Sequence, residues 1–257
     1  MKKPCKGDNS LLPIGVNTDI IGLARIQGTT VDIGAYEGGT FMCPSATELY
    51  VDANVASTNE GISWATAFKT LDEALYAAWK CPTVQKIYVA TGTYKPTKKP
   101  YNMGVDKKGV EIITTSTRDA TFHIRSGINL QGGFPSGGGT QNITANPTIL
   151  SGDIGVLSNI TDNAYHVVFA DSSVNWATTG SITKINGFTI RDGNSNANSN
   201  IIINGNITST SQGSGIYSFK GVEIISNCII SSNINSAIYG ANTTLTINNN
   251  QVERKKN

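Results

Sequence analysis

The sequence predicts an all-β solenoid, built from coils of about 22 residues and covered at its N-terminal end by one amphipathic helix. Three observations carry that prediction. Two segments of the last third repeat at a constant offset of 22, as Ile216 over Ile238 and Ile225 over Ile247 show. The composition, with 15 % charged residues and 27 glycines among many Ser, Thr and Asn, favours turns and short strands over long helices. A single helical pattern stands ahead of the first strong strand.

That helix is predicted over residues 71–80, in "TLDEALYAAWKCP". Thr70 and Glu73 have the spacing of a capping box. Leu71, Ala74, Leu75, Ala78 and Trp79 fall on one face, and Pro82 stops the pattern. A solenoid needs such a cover, because its first coil otherwise exposes apolar side chains and a row of unpaired backbone groups. Burying Leu71, Leu75 and Trp79 contributes on the order of 5–8 kcal/mol, at about 1.5–3 kcal/mol each.

Strands are predicted in "KIYVATGTY" (86–94), "TFHI" (121–124), "INLQGGF" (128–134), "PTILSGDI" (147–154) and "YHVVFA" (165–170). Their uneven intervals require loops of different length between coils. In the last third the register becomes explicit. "GIYSFKGVEIISNCII" (215–230) lies over "AIYGANTTLTINNNQV" (237–252), pairing Tyr217 with Tyr239, Asn227 with Asn249 and Ile230 with Val252. "ITKINGFTI" (182–190) joins at an offset of 40, with Ile185 over Ile225 and Ile190 over Ile230. Forty is one period plus an insertion of 18, which falls within 191–212. Repeats of this length cannot bury an apolar face singly, so neighbours stack and share a core.

The register explains an oddity in "GVEIISNCIISSN" (221–233), where Asn227 interrupts an apolar run. "VEII" and "CII" read as two strands of one coil, with Asn227 at the bend between them. Asn tolerates the left-handed backbone such a bend requires. Stacked against Asn249, it is placed to pass amide hydrogen bonds from coil to coil. Gly187 occupies the matching place one coil earlier, where glycine reaches that conformation without steric cost.

Ordered motifs now carry a resemblance. "LYVDANVASTNEGISWATAFKTLDEAL" (49–75), "IYVATGTYKP" (87–96), "TFHIRSGINLQGGF", "TILSGDI" and "INGFTIRDGN" resemble, in that order, the start of bacterial surface and secreted proteins of the pectin-lyase-like type. Members with polymorphic outer-membrane repeats are included. The resemblance covers roughly residues 48–252 and implies a three-faced right-handed parallel β-helix with an N-terminal helical cap. It also implies export and attachment at the cell surface.

Residues 7–39 resemble the closing segment of the same kind of β-helix, with "VDIGAYE" near its end. The expected organisation is therefore residues 1–40 as the end of a preceding β-helix, 41–47 as a linker, and 48–257 as the cap and first coils of the next. A chain cut from a longer tandem protein is the simplest account of that order. The rival is a first segment that packs on its own solenoid.

Charge and motifs exclude several functions. A net charge of +2 and a pI near 8.3 are too mild to imply nucleic acid. No apolar run approaches the roughly 18 residues of a membrane-crossing helix. "MKK" has the basic start of an export signal, but "PCKGDNS" follows where an apolar stretch belongs. Cys5, Cys43, Cys81 and Cys228 show no metal-ligand spacing; Cys228 reads as a small core residue, and a Cys5–Cys43 disulfide is conceivable in an oxidising compartment.

Parallel β-helices host polysaccharide lyases and hydrolases. A lyase would need acids for Ca²⁺ and a Lys or Arg base, for which Asp153, Asp162, Asp171, Asp192, Lys184 and Arg191 are the candidates. No two of these acids fall at matching places of adjacent coils. "NTD" at 17–19 matches one hydrolase motif, but its companions are missing and Asp19 reads as a turn residue. His123 and His166 lack the partners of a triad. "PSGGGT" (135–140) lacks the Lys of a phosphate loop and reads as a plain loop.

The expected function is therefore non-catalytic: a surface-exposed or secreted module, structural, adhesive or glycan-binding, without a cofactor. A carbohydrate-active enzyme, with Ca²⁺ if a lyase, is the alternative. The candidate contacts to a polysaccharide or cell-surface glycan are Asn194, Asn196 and Asn198 in the insertion, with Tyr217 and Tyr239 one above the other.

Overall fold

A computed structural model describes residues 43, 44, 46–101, 103, 116–173 and 181–254. The chain divides into two units, Met1–Cys43 and Pro44–Asn257. The readings made of residues 1–40, of Asp19 and of Cys5 lie outside the described residues.

The described part is mostly β. β1 (Glu48–Val51) is followed by α1 (Leu71–Lys80), β2 (Lys86–Ala90) and β3 (Gly92–Tyr94). Next come β4 (Phe122–Arg125), β5 (Asn129–Phe134) and β6 (Thr148–Ser151), then β7 (Val168–Asp171), β8 (Ile182–Asn186) and β9 (Thr189–Arg191). β10 (Asn200–Ile203) and β11 (Asn206–Ser209) precede β12 (Ile216–Phe219), β13 (Val222–Ser226) and β14 (Ile229–Asn233). β15 (Ile238–Ala241), β16 (Thr244–Asn248) and β17 (Gln251–Arg254) complete the series.

All of these strands except β10 and β11 form three parallel sheets. The six-stranded sheet has the order β1-β2-β5-β8-β13-β16, the five-stranded β3-β6-β9-β14-β17 and the four-stranded β4-β7-β12-β15. From β4 onward the chain visits the four-, six- and five-stranded sheets in that order, four times. Each visit lays a strand in register beside the previous one. Ile216 pairs with Ile238, Tyr217 with Tyr239, Ile225 with Ile247 and Ile230 with Val252, as the repeat predicts. Ile185 pairs with Ile225 and Ile190 with Ile230 across the 40-residue offset.

Register turns alternation into columns. Leu49, Ile87, Leu130, Ile185 and Ile225 lie in successive strands of the six-stranded sheet, each wholly buried. Tyr94, Leu150, Ile190 and Ile230 make the equivalent column of the five-stranded sheet. The last members, Ile247 and Val252, are each 50 % exposed because no strand lies on them among the described residues. Gly187, Asn227 and Asn249, at the corners after β8, β13 and β16, have φ of 79°, 53° and 51°. Asn227 is thus partly exposed at a corner rather than buried mid-strand.

The helix forms over the predicted residues, and both bonds of the Thr70–Glu73 capping box are made. Leu71, Ala74, Leu75, Ala78 and Trp79 are buried, and the helix packs on β1 and β4. Arg125 fixes its far end by donating from Nε to Ala78 O at 2.5 Å and from Nη2 to Val84 O at 2.5 Å. The 86–94 segment differs from its predicted single strand. It breaks at Thr91, and β2 and β3 join different sheets. The cause is the same corner that Asn227 makes later, a turn that alternation alone does not reveal.

The 191–212 insertion is not an irregular loop. β10 and β11 pair antiparallel, with Asn204 at φ 50° and Gly205 at φ 70° in the two-residue turn. Ile201 and Ile203 pack on Phe169, Tyr217 and Phe219, which stand on the outward side of β7 and β12. A hairpin with an apolar side over an aromatic sheet surface buries both.

Candidate functional site

The residues singled out from sequence fall in two places. Asn194 is only 2 % exposed; its Nδ2 donates to Ile160 O at 2.6 Å and its N–H to Ala164 O at 2.8 Å. Arg118 donates from Nη2 to Asn194 O at 2.6 Å and to Asn196 Oδ1 at 2.9 Å. Asn196 and Asn198 are themselves exposed. Tyr217 is 3 % exposed beneath the hairpin, stacked at 5.5 Å on Phe169 and 5.2 Å from Tyr239. Burial pushes its hydroxyl pKa up. Tyr239 is half-buried at the rim of this cluster. The structure therefore does not bring the asparagines and tyrosines into one open surface.

The carboxylates considered for catalysis hold loops. Asp153 accepts from Ser158 N at 3.2 Å and Asp162 from Val156 N at 2.8 Å. Asp192 accepts from Ser151 Oγ at 2.9 Å, and Asp171 from Ser173 N at 2.7 Å. His123 is enclosed by Trp79, Tyr101 and Phe169, with ring centroids 5.0–5.2 Å away. His166 is buried with Nδ1 3.1 Å from Gly213 O, and burial lowers its pKa to about 4. Among the described residues no group of three or more His, Cys, Asp or Glu is arranged to hold a metal ion.

A different surface gathers the features of a binding site. In β1 and β2, Leu49, Val51, Ile87 and Val89 point inward, so alternation turns Glu48, Tyr50, Lys86 and Tyr88 outward. Register then pairs Glu48 with Lys86 and Tyr50 with Tyr88, and continues outward through Asn129 and Gln131 of β5 to Lys184 and Asn186 of β8. Trp64, from a short 3-10 turn at Trp64–Thr66, and Phe134, the last residue of β5, complete the cluster. Centroid distances are 5.1 Å for Tyr50–Trp64, 5.3 Å for Tyr50–Tyr88, 5.5 Å for Trp64–Phe134 and 5.4 Å for Tyr88–Phe134. All four rings are partly open to solvent.

Two devices hold this face. Glu48 binds both tyrosines and the lysine: Lys86 Nζ donates to Oε1 at 2.7 Å, Tyr88 OH to Oε1 at 3.3 Å and Tyr50 OH to Oε2 at 3.4 Å. The Lys86 hydrogen bond keeps the Glu48 carboxyl below its ordinary range, whereas burial and then the Glu48 charge push the Tyr50 hydroxyl up. The second device is the "PSGGGT" loop. Asp52 Oδ2 accepts from Ser136 Oγ and Gly137 N, both at 2.8 Å, which brings Gly138 onto the Trp64 indole. Gly138 has φ +95°, and a Cβ there would lie 2.3 Å from Trp64 Cδ1, so only glycine fits.

The arrangement sets four partly exposed rings beside amide, carboxylate and ammonium groups, a combination of apolar and polar surface that suits a ligand with both characters. Sequence reasoning passed over Tyr50, Trp64, Tyr88 and Phe134. The signal was present in "ELYV" and "KIYVA", where tyrosine occupies the outward place of each strand, but the offset of 38 that pairs them spans the whole helix. No family model matches the chain, and no curated protein or solved structure is similar to it at a significant level.

Proposed function

We propose that this protein is a right-handed parallel β-helix module, surface-exposed or secreted, that binds a glycan without turning it over. The single observation that carries the reading is the partly open cluster of Tyr50, Trp64, Tyr88 and Phe134 on the outward side of a parallel sheet. Aromatic side chains of this size are ordinarily buried, and several left open together on a flat support suit a ligand with an apolar face. The ordered passage through three parallel sheets supports the β-helix architecture. Disulfide bonding at Cys81 suits an oxidising compartment outside the cytosol.

The test is a glycan array probed with the full chain, followed by calorimetry on hits with the Tyr88→Ala variant. The reading expects binding that falls about fivefold in the variant, since one lost ring contact is worth about 1 kcal/mol. No binding to any glycan, or equal affinity in the variant, defeats it. Release of shortened or unsaturated sugar from a bound polymer would replace it with the carbohydrate-active enzyme.

A further inference from the structure

Beside the aromatic face lies a cavity of about 390 Å³ whose walls include Gln85, Lys86, Arg125, Asn129, Ser181 and Lys184. We propose that it is an anion subsite, taking the carboxylate or sulfate ester of an acidic sugar unit whose neighbour stacks on Tyr88. The proposal rests on the glycan-binding reading above and names the class of glycan.

Three observations lead there. The first is placement. Lys86 and Asn129 precede Tyr88 and Gln131 by two residues on their strands, so each pair shares the outward side about 7 Å apart. Lys86, Asn129 and Lys184 are register partners on adjacent strands, which puts the two lysines about 9.5 Å apart across Asn129. An anionic group between them reaches both ammonium groups and the Asn129 amide.

The second is uncompensated charge. Lys86 is paired with Glu48 at 2.7 Å, so that pair is neutral. Among the described residues no carboxylate forms an ion pair with Lys184 or Arg125. The Arg125 guanidinium is 3 % exposed, and its hydrogen bonds run to the carbonyl oxygens of Ala78, Cys81, Pro82, Val84 and Ser126, all neutral acceptors. A fixed positive charge thus backs the cavity while Lys184 stands at its lip. Low-dielectric surroundings lengthen the reach of the buried charge toward an anion.

The third is donor chemistry. Beside the ammonium groups, Gln85 and Asn129 add neutral amide donors. A carboxylate or sulfate accepts several hydrogen bonds at once, and charge-assisted bonds are about twice as strong as neutral ones. A hydroxyl in the same place gains no such advantage, so the cavity discriminates by charge.

Two measurements on the full chain decide the matter. In the first, acetylation of individual lysines is followed by mass spectrometry in inorganic sulfate and in chloride at equal ionic strength. Sulfate is expected to slow Lys184 by about threefold or more while leaving the exposed Lys69 unchanged; equal rates at Lys184 overturn the subsite. In the second, neutral, uronic acid and sulfated oligosaccharides of equal length are compared by calorimetry. An acidic oligomer is expected to bind about tenfold tighter than the neutral one, with Lys184→Gln abolishing that preference. The better acidic ligand identifies the anion as planar or tetrahedral. Equal affinity for neutral and acidic oligomers overturns the subsite and leaves the aromatic face standing. Failure of every oligomer to bind removes the aromatic face, and the lysine protection then decides the cavity alone.

Discussion

Asn249 Nδ2 donates to Asn227 Oδ1 at 2.6 Å, joining two corners that are 22 residues apart in sequence and adjacent in space. Both residues hold left-handed backbone, at φ 51° and 53°. The link ties side-chain chemistry to backbone conformation at these two corners. Replacing Asn227 by Gly keeps the conformation and loses the bond, at about 0.5–1.5 kcal/mol. Asn227→Val loses both and adds about 1–2 kcal/mol of strain. Urea denaturation should rank wild type above Gly and Gly above Val; equal stabilities would mean the corner does not depend on asparagine.

Glu223 is a carboxylate at 1 % exposure inside the stack, beside Thr183 and Leu245 in the neighbouring strands. Burial pushes its pKa up, while hydrogen bonds from Thr243 and Ser218 pull it partly back. A raised folded-state value means that the protonated form suits the fold. The contribution is present below the ordinary value of 4.5 and is lost as pH rises through the folded value. Glu223→Gln, neutral at every pH, should therefore raise the melting temperature at pH 8 relative to wild type and change it little at pH 4. A lower melting temperature at pH 8 would show that the charged form is the stabilising one.

His166 works in the opposite direction. Its burial lowers the pKa from 6.5 to about 4 against the opposing pull of the Gly213 carbonyl, so the neutral ring suits the fold. Its contribution is complete above pH 6.5 and is lost as pH falls toward 4, on the order of 3 kcal/mol in all. Histidine titration by NMR should show the His166 ring remaining neutral at pH 5. A His166 ring titrating near 6.5 would contradict the buried, neutral state.

The hairpin can be removed without stretching the chain, because Thr210 N donates to Ser199 O at 3.1 Å. Joining residues 199 and 210 through two glycines should leave the parallel register intact and uncover Phe169, Tyr217 and Phe219. Losing the burial of Ile201 and Ile203 costs about 3–6 kcal/mol, at 1.5–3 kcal/mol each. Binding of a hydrophobic dye should rise while glycan affinity at the distant aromatic face is unchanged. No gain in dye binding would show that the hairpin does not cover those rings.

What the sequence made legible follows from periodicity. The repeat gave the pairing of β8, β13 and β16 and of β9, β14 and β17, because stacked parallel strands place equivalent residues side by side. The capping box and apolar stripe gave the helix from local chemistry alone. The site was less legible. Tyr50 and Tyr88 meet only through register across α1, and Trp64 and Phe134 meet across 70 residues of sequence with no repeat to announce it. Tyr217, by contrast, sits at a visible repeat position; the hairpin that buries it is signalled by Asn204-Gly205 between "III" and "NIT", a turn that the 22-residue period does not reveal, and only the aromatic surface beneath says where it packs.

The aromatic face meets its most direct test in fluorine NMR of protein labelled with 5-fluorotryptophan. Assignment of the three resonances by Trp64→Phe and Trp176→Phe, with Trp79 at 5 % exposure as the internal control, separates the partly open Trp64 ring from a buried one. Adding a bound oligosaccharide should shift the Trp64 resonance saturably and leave Trp79 in place. Saturable binding that moves Trp79 or neither resonance would put the glycan elsewhere and contradict the account.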